Sequence, residues 1–145
     1  MSYSIQEVAK KMHITSYSIR YYHDQGMLPF VQRDANNNRV FNEIDLEWLQ
    51  IIVCLRATGM PIAEIQHYLR LVQAGVETVP ERYRLMKTQQ ARTQAEIREL
   101  QQHLKLIDRK VAHYAELLVD PQPDSIVPDG LAAAQAQVSS QPSTK

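Results

Sequence analysis

From Tyr83 onward, side chains recur in alternating steps of three and four: Tyr83, Met86, Gln90, Thr93, Ile97, Leu100, Leu104, Ile107, Val111, Tyr114 and Leu118. A seam of this kind belongs to a helix that wraps another helix, and only Gln90 and Thr93 are polar in it. The helical pattern is unbroken over residues 80–119, which makes a rod of roughly 60 Å. A head made of residues 1–79 is too small to cover such a rod, and no second long helix exists to fold back along it. The stripe therefore asks for another chain. The expected assembly is a homodimer joined along Ile97, Leu100, Leu104, Ile107, Val111 and Tyr114. Heptads alone leave the orientation open. Gln90 and Thr93 weaken the seam locally, and either fix register or mark where the rod meets the partner's head.

The remainder divides around the rod. Residues 1–79 carry short apolar-periodic runs separated by turn signals, and residues 120–145 mix Pro121, Pro123, Pro128 and Pro142 with Ala, Gln and Ser. That tail reads as disordered. One cysteine in 145 residues excludes a disulfide scaffold, and no Cys/His cluster has zinc-finger spacing, so neither a metal nor a cofactor is expected. No apolar run is long enough to cross a bilayer, and Met1-Ser2-Tyr3-Ser4 has no leader-like character, so the expected location is the cytoplasm without a membrane partner. Sixteen Lys and Arg balance sixteen Asp and Glu over the whole chain. Residues 1–40, however, hold Lys10, Lys11, Arg20, Arg33 and Arg39 against Glu7, Asp24 and Asp34. Any nucleic-acid face must be local.

Turn chemistry sets the elements of the head. Ser4 with Glu7, Thr15, and Asn42 with Asp45 are helix-start signals, while Gly26, Gly59 and Gly75 each follow a helical run. Helices are predicted over about 5–12, 16–25, 43–58, 61–74 and 80–119. Between the second and third, Val31-Gln32-Arg33 and Arg39-Val40-Phe41 flank an Asn-rich run that tolerates positive φ, which predicts a small hairpin. The first two helices and the turn His13-Ile14-Thr15 make a helix-turn-helix candidate, and the hairpin makes a wing. The second helix opens with Ser16, Tyr17 and Ser18 and continues through Arg20, Tyr21 and Tyr22. Small polar residues at the start of a recognition helix suit base edges. Arg and Tyr further along, with Arg33 and Arg39 on the wing, suit phosphates. A plain helical hairpin with Tyr21 or Tyr22 in its core fits the spacing about as well.

Taken together, Tyr3-Ser4-Ile5-Gln6-Glu7-Val8-Ala9, Ser18-Ile19-Arg20-Tyr21-Tyr22, Gly26-Met27-Leu28-Pro29, Arg39-Val40-Phe41 and Asp45-Leu46 resemble the winged helix-turn-helix head of the MerR family of transcriptional regulators. The likeness continues through Gly59-Met60-Pro61-Ile62-Ala63-Glu64-Ile65 into the long helix, covering about residues 1–118. The resemblance implies a mainly α fold: a winged helix-turn-helix head with a small β-hairpin wing, then a long antiparallel coiled-coil dimerisation helix. It implies a homodimer on an inverted repeat of double-stranded promoter DNA, which is bent and untwisted for RNA polymerase. It places Ser16 and Tyr17 on bases, Arg20 and Tyr21 on phosphate, and Arg39 as wing anchor. The chain departs from the family in three places: Asn38 replaces a Tyr common before the wing Arg, Phe41 replaces a Tyr, and His23-Asp24-Gln25 replaces a more basic stretch.

Cys54 lies in the third predicted helix, on the side shared with Glu47, Ile51 and Thr58. As a residue type it is most often an inert, buried filler. It also resembles the lone cysteine of family members that respond to aldehydes or thiol stress, which implies effector sensing there. One thiol per chain is a poor soft-metal site. Two alternatives stand beside a thiol-sensing regulator: a small apolar ligand held at the dimer junction, and a coiled-coil interaction module without DNA. An enzyme with Cys54 as nucleophile lacks a convincing base and a phosphate loop, and none is expected. His67, His103 and His113 have no ligand spacing, and Arg92, Glu96, Arg98 and Glu99 read as a solvated flank.

Overall fold

In the computed structural model, which describes residues 1–123, 127–128 and 130–140, the chain is mainly helical with one two-stranded hairpin. Helix α1 (Ile5–Met12) starts on the Ser4 hydroxyl, which accepts from the Glu7 N–H at 3.2 Å. It stops at His13, whose φ of 56° is left-handed and turns the chain into α2 (Ser16–Asp24). Thr15 caps α2 by accepting from the Ser18 N–H. Strands β1 (Gln32–Arg33) and β2 (Arg39–Val40) pair antiparallel, Gln32 opposite Val40 and Arg33 opposite Arg39. Asp34 closes the hairpin by accepting from the Asn36 and Asn38 N–H groups, and Asn37 takes the positive φ of 63° that the turn requires.

Helix α3 (Glu43–Ala57) carries the full reciprocal cap: Asn42 Oδ1 accepts from the Asp45 N–H, and the Asp45 carboxylate accepts from the Asn42 N–H. That second bond satisfies the carboxylate of Asp45, which is buried. Gly59, with φ of 83°, ends the helix where a Cβ would strain the backbone. Helix α4 (Ile62–Ala74) follows Pro61, which stands at its N-cap, and a 3-10 turn (Val76–Thr78) leads into α5 (Val79–Val119), 41 residues long.

The core forms between these elements. Val8, Ile19, Met27, Leu28, Phe41, Leu49, Ile52, Met60, Ile65 and Leu69 are essentially sealed from solvent. Each contributes on the order of 1.5–3 kcal/mol of transfer free energy. One side of α3 buries Leu46, Leu49 and Ile52. Trp48, Ile51, Val53 and Leu55 are half-buried around it, so this helix does cover more than one stripe.

The chain resolves into two units, Met1–Thr93 and Gln94–Lys145. The first takes in the opening turns of α5. There Met86 packs on the core and Gln89 is 5% exposed, its Nε2 donating to the Thr58 carbonyl and hydroxyl oxygens. The Gln89 Oε1 is buried without a partner. In the same unit Arg92 pairs with Glu64 at 3.0 Å and His67 with Glu81 at 2.9 Å, so neither Arg92 nor His67 is simply solvated. In the second unit, part of the tail read as disordered forms α6 (Leu131–Ser140). It is exposed throughout, and the intrinsic helix preference of its four alanines accounts for it without packing. Tail residues 124–126, 129 and 141–145 lie outside the described residues. No helix among the described residues is long and apolar enough to cross a membrane.

Candidate nucleic-acid interface

Ile19 pins α2 to the core with no exposure, and this decides what the rest of the helix can show. Tyr17 is 76% exposed, Arg20 and Tyr21 are exposed, and Ser16 and Ser18 are half-buried. An aromatic side chain held that far out of the core gains nothing from folding, and a phenol so placed suits a polar, flat partner. The hydroxyl of Ser18 is 2.9 Å from that of Thr15 while its N–H bonds the same oxygen, so Ser18 serves the cap first. Tyr21 leans edge-on to half-buried Tyr22, ring centres 6.0 Å apart.

Arg20 faces a groove of about 610 Å³ that runs between the start of α1 and the wing, with Ser4, Gln6, Arg33, Asn37 and Asn38 on its walls beside two carboxylates, Glu7 and Asp34, the latter engaged by the hairpin N–H groups. Backbone N–H groups at a helix start, two guanidinium groups and amide side chains together make surroundings suited to phosphate oxygens. Arg33 is exposed and steadies the wing by donating from Nη1 to the Asn37 carbonyl at 3.0 Å. The floor is fixed by Tyr3, which exchanges backbone hydrogen bonds with Phe41 and donates its hydroxyl to Glu43 Oε1 at 2.6 Å. That bond to a carboxylate raises the Tyr3 phenol above its ordinary range.

Arg39 behaves differently from Arg20 and Arg33. Its side chain is 15% exposed and turned inward: Nε–H donates to His23 Nδ1 at 2.8 Å, and Nη2 donates to Asp24 Oδ1 at 2.9 Å. The structure thus brings Tyr17, Arg20, Tyr21 and Arg33 to the exposed surface, while Arg39 ties the wing to α2. His23 and Asp24, noted in the sequence only as a departure from the family pattern, are the partners. No local spacing could reveal them, because they stand sixteen and fifteen residues away. Burial, then the Arg39 and Arg33 charges, lower the His23 pKa against the opposing pull of Asp24 and Asp45.

Cys54 is exposed on α3, which departs from the inert, buried filler that its residue type suggests. Its carbonyl accepts from the N–H of Thr58, the residue that Gln89 holds. A second hollow, about 440 Å³, opens beside Tyr83, Met86, Lys87 and Gln90. On the second unit Ile97, Leu100, Leu104, Ile107, Val111 and Tyr114 are all exposed, Leu104 by 51%.

Two family models match the chain: "MerR HTH family regulatory protein" over residues 3–72 and "MerR, DNA binding" over residues 46–110. An uncharacterized HTH-type transcriptional regulator of Haemophilus influenzae is 36% identical over 114 residues, covering 79% of this chain and 84% of its own. Among solved structures, HiNmlR, a MerR family regulator lacking the sensor domain and bound to promoter DNA, matches with a TM-score of 0.75 and 34% identity. That match covers 82% of this chain and 90% of the other. A MerR family regulator from Bacillus thuringiensis matches with a TM-score of 0.69 and 42% identity, over 77% and 98% of the two chains.

Proposed function

The chain belongs to the MerR family of transcriptional regulators, and we propose that two copies, paired antiparallel along the α5 seam, grip an inverted repeat in promoter DNA. The observation that carries this reading is the surface of α2. Ile19 is sealed in the core while Tyr17, Arg20 and Tyr21 of the same helix stand in solvent, and Arg20 also lines the groove that it shares with Arg33. Ser16 and Tyr17 read base edges, Arg20, Tyr21 and Arg33 hold phosphates, and Ser18 contributes through its cap. Arg39 acts by seating the wing. The family likeness supports the rest of the mechanism: the dimer strains the promoter, and an effector shifts it toward the bent, untwisted form that RNA polymerase engages. That a relative of the same fold has been solved bound to promoter DNA supports the reading of the head as a DNA-binding unit. The test uses the duplex that the protein itself selects from a random pool. Arg20→Ala should weaken binding to all sequences alike and lower the salt slope by about one; an unchanged slope would remove Arg20 from the phosphate contacts.

For the effector, Cys54 is the site we favour, because an exposed thiol is open to an electrophile where a core thiol is not. Cys54→Ser should keep DNA binding while losing the transcriptional response to aldehyde. An induction curve identical to wild type would transfer the role to the hollow at Tyr83, Met86, Lys87 and Gln90, where a small apolar ligand could sit at the dimer junction.

A further inference from the structure

The wing has little to hold it in place. Its strands are two residues each, and a hairpin that short is not stable by itself. On one side it is fastened through Phe41, whose ring is buried and whose backbone pairs with Tyr3, and through half-buried Val31, which packs on the core just before β1. On the other, the tie to α2 is Arg39, held by His23 Nδ1 at 2.8 Å and Asp24 Oδ1 at 2.9 Å. A ring nitrogen that accepts a hydrogen bond has no proton of its own, so His23 is a neutral imidazole with its proton on Nε2.

We propose that His23 is a positioning residue for DNA binding: as a neutral acceptor it locks Arg39, and with it the wing, against the end of α2, and its protonation loosens the wing in acid. This rests on the wing being part of the DNA-gripping surface. The charged groups facing the ring are Arg39 and Arg33 from the wing, Asp24 on its own helix and Asp45 from α3. Burial first, then the two arginines, keep the ring neutral below its ordinary range, and the two carboxylates oppose them. A depressed folded-state pKa means that the lock is complete above the ordinary histidine value. It is lost as pH falls through the lower folded value. Asp24, whose side chain is 62% exposed, keeps a hold on the guanidinium after the ring is charged, so the wing slackens without detaching.

Two measurements decide the matter. Without DNA, nitrogen NMR at about pH 8 should show His23 Nδ1 as an unprotonated acceptor and the Arg39 Nε–H slow to exchange, both lost toward about pH 5. A proton on Nδ1 at the upper pH, or an Arg39 Nε–H that stays protected through the His23 titration, overturns the proposal. With the selected duplex, wild-type affinity should fall about tenfold over the same range, the scale of one charge-assisted hydrogen bond. His23→Gln keeps an acceptor that does not titrate, and its affinity should change less than about twofold. A wild-type affinity that holds or rises in acid, or an equal fall in His23→Gln, also overturns it. A wild type that selects no duplex at the upper pH sinks the DNA-binding reading and the binding half of this inference, while the ring measurement still judges the lock.

Discussion

Met1–Thr93 closes a core of its own, whereas the described residues from Gln94 onward leave most of their apolar side chains exposed. Every buried side chain among the described residues falls before Gln94. After it, Ile97, Leu100, Leu104, Ile107, Val111 and Leu118 repeat at heptad spacing and are at least half exposed. The two stretches obey the same rule, that a patterned apolar stripe must be covered, and differ in where the cover comes from. A stripe that finds its complement within the chain specifies a fold; one that does not specifies an assembly.

The sharpest way to break that contrast is to charge the uncovered stripe. Leu104→Glu with Ile107→Glu should abolish the dimer in sedimentation at micromolar concentration and leave the helical signal of the head intact. A variant that still sediments as a dimer would mean that the chains pair elsewhere. Next in size, Leu49→Ala opens a hole in a fully buried site and should cost about 2–5 kcal/mol in denaturant unfolding. That loss should be independent of protein concentration, while the loss from Leu104→Ala should shrink on dilution, as both proteins come apart into single chains. Equal dilution behaviour in the two would erase the distinction between the regions. Smallest, Asn42→Ala removes one arm of the α3 cap and should cost about 1 kcal/mol. A loss much beyond that would show that Asp45, left buried with less support, is the more costly partner.

Much of the head was legible because short-range chemistry writes it. Ser4, Thr15 and Asn42 start helices by satisfying first-turn N–H groups, and Gly26, Gly59, Gly75 and an Asn of the wing run take positive φ as expected, whereas left-handed His13 carried no such signal. Helix limits read from those residues match the observed ones to within one residue. The candidate interface was legible in part: Tyr17, Arg20 and Tyr21 share the polar side of a helix whose apolar side Ile19 marks. Contacts between distant residues were not. The heptad reading put Gln90 and Thr93 on the seam, yet Gln89 is the side chain that is buried, because this stretch of α5 answers to the head as well as to any partner. Arg39 read as a phosphate ligand by its charge, and only the fold shows that His23 and Asp24 occupy it.

The burial of Gln89 bears on how this regulator can be recombined. A chimera spliced at residue 79, where turn signals suggest a seam between modules, would leave Thr58 facing a foreign residue and strip Met86 from the head. A graft joined after Thr93 carries those turns with the part they complete. Any exchange of pairing helices between such proteins, in the laboratory or over descent, has its natural crossover inside a continuous helix rather than at the loop before it.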